Sequence, residues 1–282
     1  MTYKTILLNL ENESQVPHLI KAAVCLAGQY ESHVIGTYIV RPLEPYVARM
    51  AAASYSAELA KVLMKTEKDR ASKLKKLFEE GTRAQNLVAE WRFDTSENSN
   101  VPKGIIDQAR SADVLMISAN LKDSSQGEVH EPIAPIITGC SRPTIVIPED
   151  FEDVSFGHYV FIAWDGSRES SRAVFDALPI LKNAKNVWLH RVKSNHEVKQ
   201  HGDEATKYLA SALARHDVNI ETSDSTSSTR HIGEELLACA RDRGADCIVM
   251  GAYGHNRVHG LLLGDATRHM LANSTIPLIM SH

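Results

Sequence analysis

The sequence predicts an α/β protein made of two tandem domains, each with a five-stranded parallel sheet. Three observations carry that expectation. Short apolar runs alternate with amphipathic stretches along all 282 residues, the pattern of strand–helix–strand crossovers that gives parallel strands with right-handed connections. Some runs are apolar at every position, as in Val114-Leu115-Met116-Ile117 and Cys247-Ile248-Val249-Met250, which suits strands covered on both faces. The same order of elements also occurs twice.

In the first half the apolar runs place strands at 5–10, 33–40, 87–93, 113–117 and 144–147. In the second half they fall at 159–164, 186–192, 218–222, 246–250 and 277–280. Amphipathic stretches at 15–30, 170–181, 204–216 and 234–243 read as helices between them. Residues 41–83 open with Pro42 and Pro45, and 48–80 then combine strong helix formers with many charges. That stretch reads either as one long or broken solvated helix or as a lid or partner surface over the first half's cleft.

The two lists align as an internal repeat. Ser111-Ala112-Asp113-Val114-Leu115-Met116-Ile117-Ser118 resembles Gly244-Ala245-Asp246-Cys247-Ile248-Val249-Met250-Gly251 at an offset of 133. Arg142-Pro143-Thr144-Ile145-Val146-Ile147 resembles Ile276-Pro277-Leu278-Ile279-Met280 at 134. The first strands, Thr5-Ile6-Leu7-Leu8-Asn9-Leu10-Glu11 and Tyr159-Val160-Phe161-Ile162-Ala163-Trp164-Asp165, stand 154 apart. The first half therefore holds about 20 extra residues, which 41–83 accommodates. The acidic turn at 149–153 marks the boundary, giving halves 1–150 and 151–282.

Composition narrows the function. Hydrophobic residues at 43% and charged residues at 23% fit a folded soluble protein. Thirty-five acidic against 31 basic residues, net −4, leave no basic excess to neutralise phosphates, so no nucleic-acid partner is expected. Aromatics at 6% make a poor base-stacking platform. Cys25, Cys140, Cys239 and Cys247 form no CxxC and read as reduced, buried thiols. No apolar run reaches the ~18 residues of a membrane span, so no membrane partner is expected. The N-terminus lacks the features of a signal peptide, so the expected location is cytoplasmic.

The chemistry concentrates in one loop. Four of the 15 glycines lie within 251–264, after a buried strand and before a helical pattern at 266–272. A strand, a glycine-rich loop and a helix present backbone N–H groups at the positive end of the helix dipole, and phosphate is the default guest. The spacing is neither a P-loop nor G-x-G-x-x-G.

Gly251-Ala252-Tyr253-Gly254, nine residues and Gly264 resemble the nucleotide loop of the universal stress protein (UspA-like) family, G-x2-G-x9-G-S/T. Trp164-Asp165-Gly166-Ser167 is similar to the family's D-G-S, and Leu189-His190 to its L-H-V. The resemblance implies Rossmann-like, adenine nucleotide alpha hydrolase-like domains and a stress-response protein that binds ATP or AMP, with Mg²⁺ accompanying the nucleotide. It implies that Ala163 and Trp164 face the adenine side and that Asp165 lies near ribose and metal. Arg191 would offer main-chain contacts to adenine. Gly251, Gly254 and Gly264 would wrap the phosphates, with His255, Asp265, Ala266 and Thr267 beside them.

One departure matters. The family places Ser or Thr after the last glycine, where this chain has Asp265. A carboxylate caps a helix well but only accepts hydrogen bonds. At about 4 Å and an effective dielectric near 20, like unit charges cost on the order of 4 kcal/mol. Thr267, Arg268, His269, His255, Arg257 and His259 are available to offset it. In the first half Ser118, Leu121, His130 and Glu131 replace Gly251, Gly254, Gly264 and Asp265, Glu11 replaces Asp165, and Asp123 and Glu128 add negative charge. No nucleotide is expected there.

No catalytic residue or metal site is expected. G-x-S-x-G is absent, Ser167 reads as an N-cap with Ser170 as a second candidate, and His255 and His259 lack a third ligand. The Ser/Thr-rich 222–229 reads as a solvated loop, with phosphorylation as the alternative, and Arg230-His231 as a helix start. The leading expectation is a nucleotide-responsive stress protein acting through its second half. The alternatives are an interaction scaffold and a weak Mg²⁺-dependent ATPase using Asp165 and Asp265. Strands 144–147 and 277–280 are expected to pair as an intramolecular pseudo-dimer, leaving a homodimer open.

Overall fold

The computed structural model describes residues 2–11, 13–40, 56–95, 100–119, 133–149, 151–153, 155–194, 199–227, 232–253 and 265–282. The first half contains β1 (Thr5–Asn9), α1 (Val16–Tyr30), β2 (His33–Val40), α2 (Ser56–Ala84), β3 (Ala89–Thr95), α3 (Val101–Ala109), β4 (Val114–Ser118), α4 (Ile133–Gly139) and β5 (Thr144–Ile147). The second contains β6 (Tyr159–Ala163), α5 (Arg168–Asp176), α6 (Leu178–Leu181), β7 (Asn186–Ser194), α7 (Lys199–Ala214), β8 (Ile220–Ser227), α8 (Ile232–Asp242), β9 (Cys247–Gly251), α9 (Asp265–Asn273) and β10 (Leu278–Ser281).

The ten strands form one sheet in the order β3-β2-β1-β4-β5-β10-β9-β6-β7-β8. Neighbours are parallel except at the centre, where β5 and β10 run antiparallel with Ile145 opposite Ile279. Both isoleucines are fully buried. Helices α1, α2, α5, α6 and α7 cover one face, and α3, α4, α8 and α9 cover the other. Each apolar layer runs unbroken across both halves, so the two sheets are one sheet with two shared cores.

Polar contacts lock the same seam. The Tyr3 hydroxyl donates to the Asp176 carbonyl at 2.7 Å, and the Tyr30 hydroxyl to the Pro179 carbonyl at 2.8 Å. Arg172 donates to the Ser141 carbonyl at 2.6 Å and to the His282 carbonyl at 3.0 Å. Burial pushes both tyrosine phenols above their ordinary range, in keeping with their role as neutral donors. Among the described residues no helix is long and apolar enough to cross a membrane.

Several boundaries differ from expectation. β3 begins at Ala89 rather than 87, because Asn86 takes a left-handed conformation (φ 54°) as the chain leaves α2. The helix expected at 170–181 divides at Ala177, and Pro179, with no N–H to give, stands in the short α6. α2 is unbroken over 29 residues against 16 for α7, which supplies part of the first half's excess. Residues 48–55 lie outside the described residues. The largest correction is β8: residues 222–227 are strand rather than loop, in register with β7 from Val187 to Ser194. Their polarity suits an edge strand, and two of their hydroxyls meet a buried histidine.

Candidate nucleotide cleft

β6 and β9 lie side by side, yet the chain leaves them for opposite faces, through α5 after β6 and through α9 after β9. That is a topological switch point, where open α/β sheets leave a crevice beyond the carboxyl ends of the strands. The described segments at this end of the sheet are 163–165, 167–170, 251–253 and 265–267, with the end of β7.

Asp165 is exposed, and its Oδ1 accepts the Ser167 N–H at 2.9 Å, closing a tight turn. Gly166 inside that turn has φ 77°, a left-handed conformation that glycine adopts without strain. Ser167 caps α5, its Oγ accepting the Ser170 N–H at 3.1 Å, as its place in the sequence predicts. The turn thus fixes the Asp165 carboxylate at the rim.

Gly251 has a structural reason to be glycine. A Cβ there would lie 2.4 Å from the Ser170 nitrogen and 2.7 Å from the Glu169 carbonyl carbon. The first turn of α5 therefore rests directly on the end of β9. The first half differs at this point: Ser118 Oγ lies 3.2 Å from His18 Nε2 of α1. Next to it, Asn9 Nδ2 donates to Glu11 at 2.9 Å, so the residue matching Asp165 faces an amide rather than a capping turn.

Beyond Gly251 the chain is pinned. The Ala252 N–H donates to the Ser281 carbonyl and its own carbonyl lies 2.9 Å from His282 Nδ1. Tyr253 is left-handed (φ 58°), and its N–H donates to Thr267 Oγ1 at 3.4 Å. Burial pushes the Tyr253 phenol up to about 12, with Arg268 pulling the other way. The Tyr253 hydroxyl and the Trp164 indole N–H are buried and have no hydrogen-bond partner among the described residues. Thr267 is only 4% exposed, so its hydroxyl is turned into the β9–α9 junction. Ala266 packs over Gly233, where an added Cβ would meet the Ala266 carbonyl oxygen at 3.0 Å. Asp265 opens α9 and is exposed.

Ala163 belongs to the layer under α8 and α9, whereas Trp164 belongs to the layer under α5 and α7. Successive residues alternate faces, so the two side chains point to opposite faces of the sheet. Arg191 is buried and stands opposite Asp224 within the β7–β8 ladder. The Trp164 N–H donates to the His190 carbonyl at 2.8 Å, so the main chain of His190 faces β6 and that of Arg191 faces β8. The next main-chain groups on the β6 side belong to Val192, beyond the last residue of β6. Gly254, His255, Gly264, Arg257, His259 and Arg230-His231 lie outside the described residues, as do Leu121, Asp123, Glu128, His130 and Glu131. Among the described residues no group of three His, Cys, Asp or Glu side chains could hold a metal ion.

His190 enters the sequence reading only as part of the Leu189-His190 match, with no role of its own. It is 1% exposed, with Nδ1 2.9 Å from Ser223 Oγ and Nε2 3.2 Å from Ser225 Oγ. Arg243 donates to Ser223 at 3.1 Å, and the imidazole packs 5.2 Å from the Phe161 ring. Ser223 and Ser225, two residues apart on one strand, are the signal in the sequence. Burial, and then Arg243, hold the imidazole below its ordinary value, against the pull of Asp224 and Glu235. As pH falls below about 6.5 the unfolded chain therefore takes up this proton before the native chain does. The contribution of His190 is intact above that value and declines toward its lower native value. Denaturant midpoints of the native chain should therefore rise with increasing pH across this acidic window, and His190→Gln should show a shallower rise.

The architecture is an α/β sheet with a topological switch point between β6 and β9, and the comparisons show which proteins it resembles. Residues 159–282 match the model of the Universal stress protein family. Over 158 residues the chain is 26% identical to Universal stress protein Slr1230 of Synechocystis sp., covering 55% of this chain and 52% of that protein, so it spans about half the length of this curated relative. A universal stress protein from Archaeoglobus fulgidus DSM 4304 shares the fold at TM-score 0.68 and 14% identity, covering 100% of this chain and 99% of that one. A functionally unknown protein from Pseudomonas aeruginosa PAO1 follows at TM-score 0.60 and 13% identity, covering 99% and 92%. The second half, residues 159–282, matches the universal stress protein family, and the first half repeats its fold.

Proposed function

We propose that the second half binds one adenine nucleotide, ATP or AMP, in the crevice between β6 and β9, and that binding regulates a stress response in the cytoplasm without catalysis. The observation that supports this most is the arrangement at the switch point. Asp165 is held by its own turn after β6, and α9 starts at Asp265 in the segment that follows the neighbouring strand β9. The nine-residue α9 offers the positive end of its dipole to phosphate, and Asp165 can accept from ribose hydroxyls. Val192, rather than Arg191, offers main-chain groups on the β6 side. Asp265 opposes a bare phosphate and favours one carried with Mg²⁺.

The first half is proposed not to bind nucleotide, because Ser118 and His18 occupy the position of the Gly251–α5 contact. Titration calorimetry tests the reading. Asp265→Ser, which exchanges an acceptor-only group for a donor, should tighten ATP binding at least tenfold and weaken its dependence on Mg²⁺. Unchanged affinity would remove Asp265 from the site. Sustained phosphate release lost in Asp265→Ala would instead make the chain an ATPase.

A further inference from the structure

We propose that β3 is the surface through which two copies of this chain pair, antiparallel about a two-fold axis at Trp91, and this goes beyond the nucleotide reading. The β5–β10 ladder uses the inner edge of each half, so among the described residues the sheet ends at β3 and β8. An open edge is a template for another strand. The Val34 N–H donates to the Val88 carbonyl at 2.9 Å. By alternation, Ala89, Trp91 and Phe93 turn their N–H and C=O groups outward. An antiparallel partner centred on Trp91 makes Trp91 face its counterpart in a hydrogen-bonded pair. Ala89 then faces the Phe93 of the second copy, a small residue opposite a large one.

Charge selects this register. With Trp91 on the axis, Glu90 of each copy faces Arg92 of the other, twice. Moving the axis one residue toward Arg92 sets Arg92 against Arg92 and Glu90 against Asp94, and like charges directly opposite destabilise a ladder. β8, Ile220-Glu221-Thr222-Ser223-Asp224-Ser225-Thr226-Ser227, carries two acids and no base, so it has no comparable self-complement. Apolar surface an edge would ordinarily hide is also exposed here: Phe93 on β3 is 43% exposed and Val88, just before it, 67%. Beside it runs a groove of about 370 Å³ lined by Lys68, Ala71, Ser72, Lys75, Trp91 and Phe93. The interface is isologous, so it closes as a dimer.

Sedimentation of the full chain between about 1 and 200 µM, the range of modest affinities, tests this directly. The native chain should show a monomer–dimer equilibrium, and Glu90→Arg or Arg92→Glu should weaken it at least tenfold. The double exchange E90R/R92E should restore it. Hydrogen exchange on the native chain, which needs no variant, should show the amides of Ala89, Trp91 and Phe93 protected as the dimer forms. A monomer throughout the range, a dimer indifferent to both single exchanges, open polymers joining β3 to β8, or restoration by D94R/R92E in place of E90R/R92E would each overturn the pairing.

Discussion

Gly251→Val should cost the free protein about 3 kcal/mol, at the upper end of what overpacking a tight contact costs, and lower its melting temperature by roughly 10 °C. The reason is the geometry at the end of β9. The added carbon would sit 2.4 Å from a backbone nitrogen of α5. Backbone cannot move aside as a side-chain tip can, so the helix must lift off its strand. Gly166 gives the contrasting control: a Cβ there meets nothing within 4 Å. Gly166→Ala should cost only the left-handed backbone penalty of about 1–2 kcal/mol. Melting without ligand separates two roles for Gly251. A residue needed only to admit a phosphate would leave the free protein's melting unchanged in the valine variant.

Ile279→Asp should be the more damaging substitution. Ile279 is fully buried at the junction of the halves, opposite Ile145. A carboxylate there has no partner to replace water, and burying an uncompensated charge costs several kcal/mol. Because both apolar layers cross the junction, the loss should reach both halves together. Native unfolding is expected as one transition, and the variant should unfold as a whole at lower denaturant or fail to accumulate folded. Two separate transitions in the native chain, with only one displaced by Ile279→Asp, would show that the halves are independently stable.

Legibility in the sequence followed how local each cause was. β2 and β5 match their apolar runs to the residue, since burial on both faces leaves its mark in the run itself. β8 was misread because its stability comes from a neighbour. A Ser-Asp-Ser-Thr stretch has little strand preference, yet in register with β7 its hydroxyls meet the His190 ring. β3 was displaced because Leu87 and Val88 are apolar but belong to the exit from α2. In the cleft, Asp165, Ser167 and the start of α9 were legible as turn and cap chemistry. The sheet faces were not, for the resemblance says nothing of the alternation that sends Ala163 and Trp164 into different layers. Nor did sequence show that the absence of a Cβ at Gly251 is needed for the close approach of α5.

The central claim, one nucleotide per chain held by the second half, is tested most directly by calorimetric titration of the native protein with ATP, ADP and AMP, with and without Mg²⁺. The account predicts saturable heat with a stoichiometry of one, strongest for ATP with Mg²⁺ and lost in Asp165→Ala. No heat under any of these conditions, or two sites per chain, would contradict it.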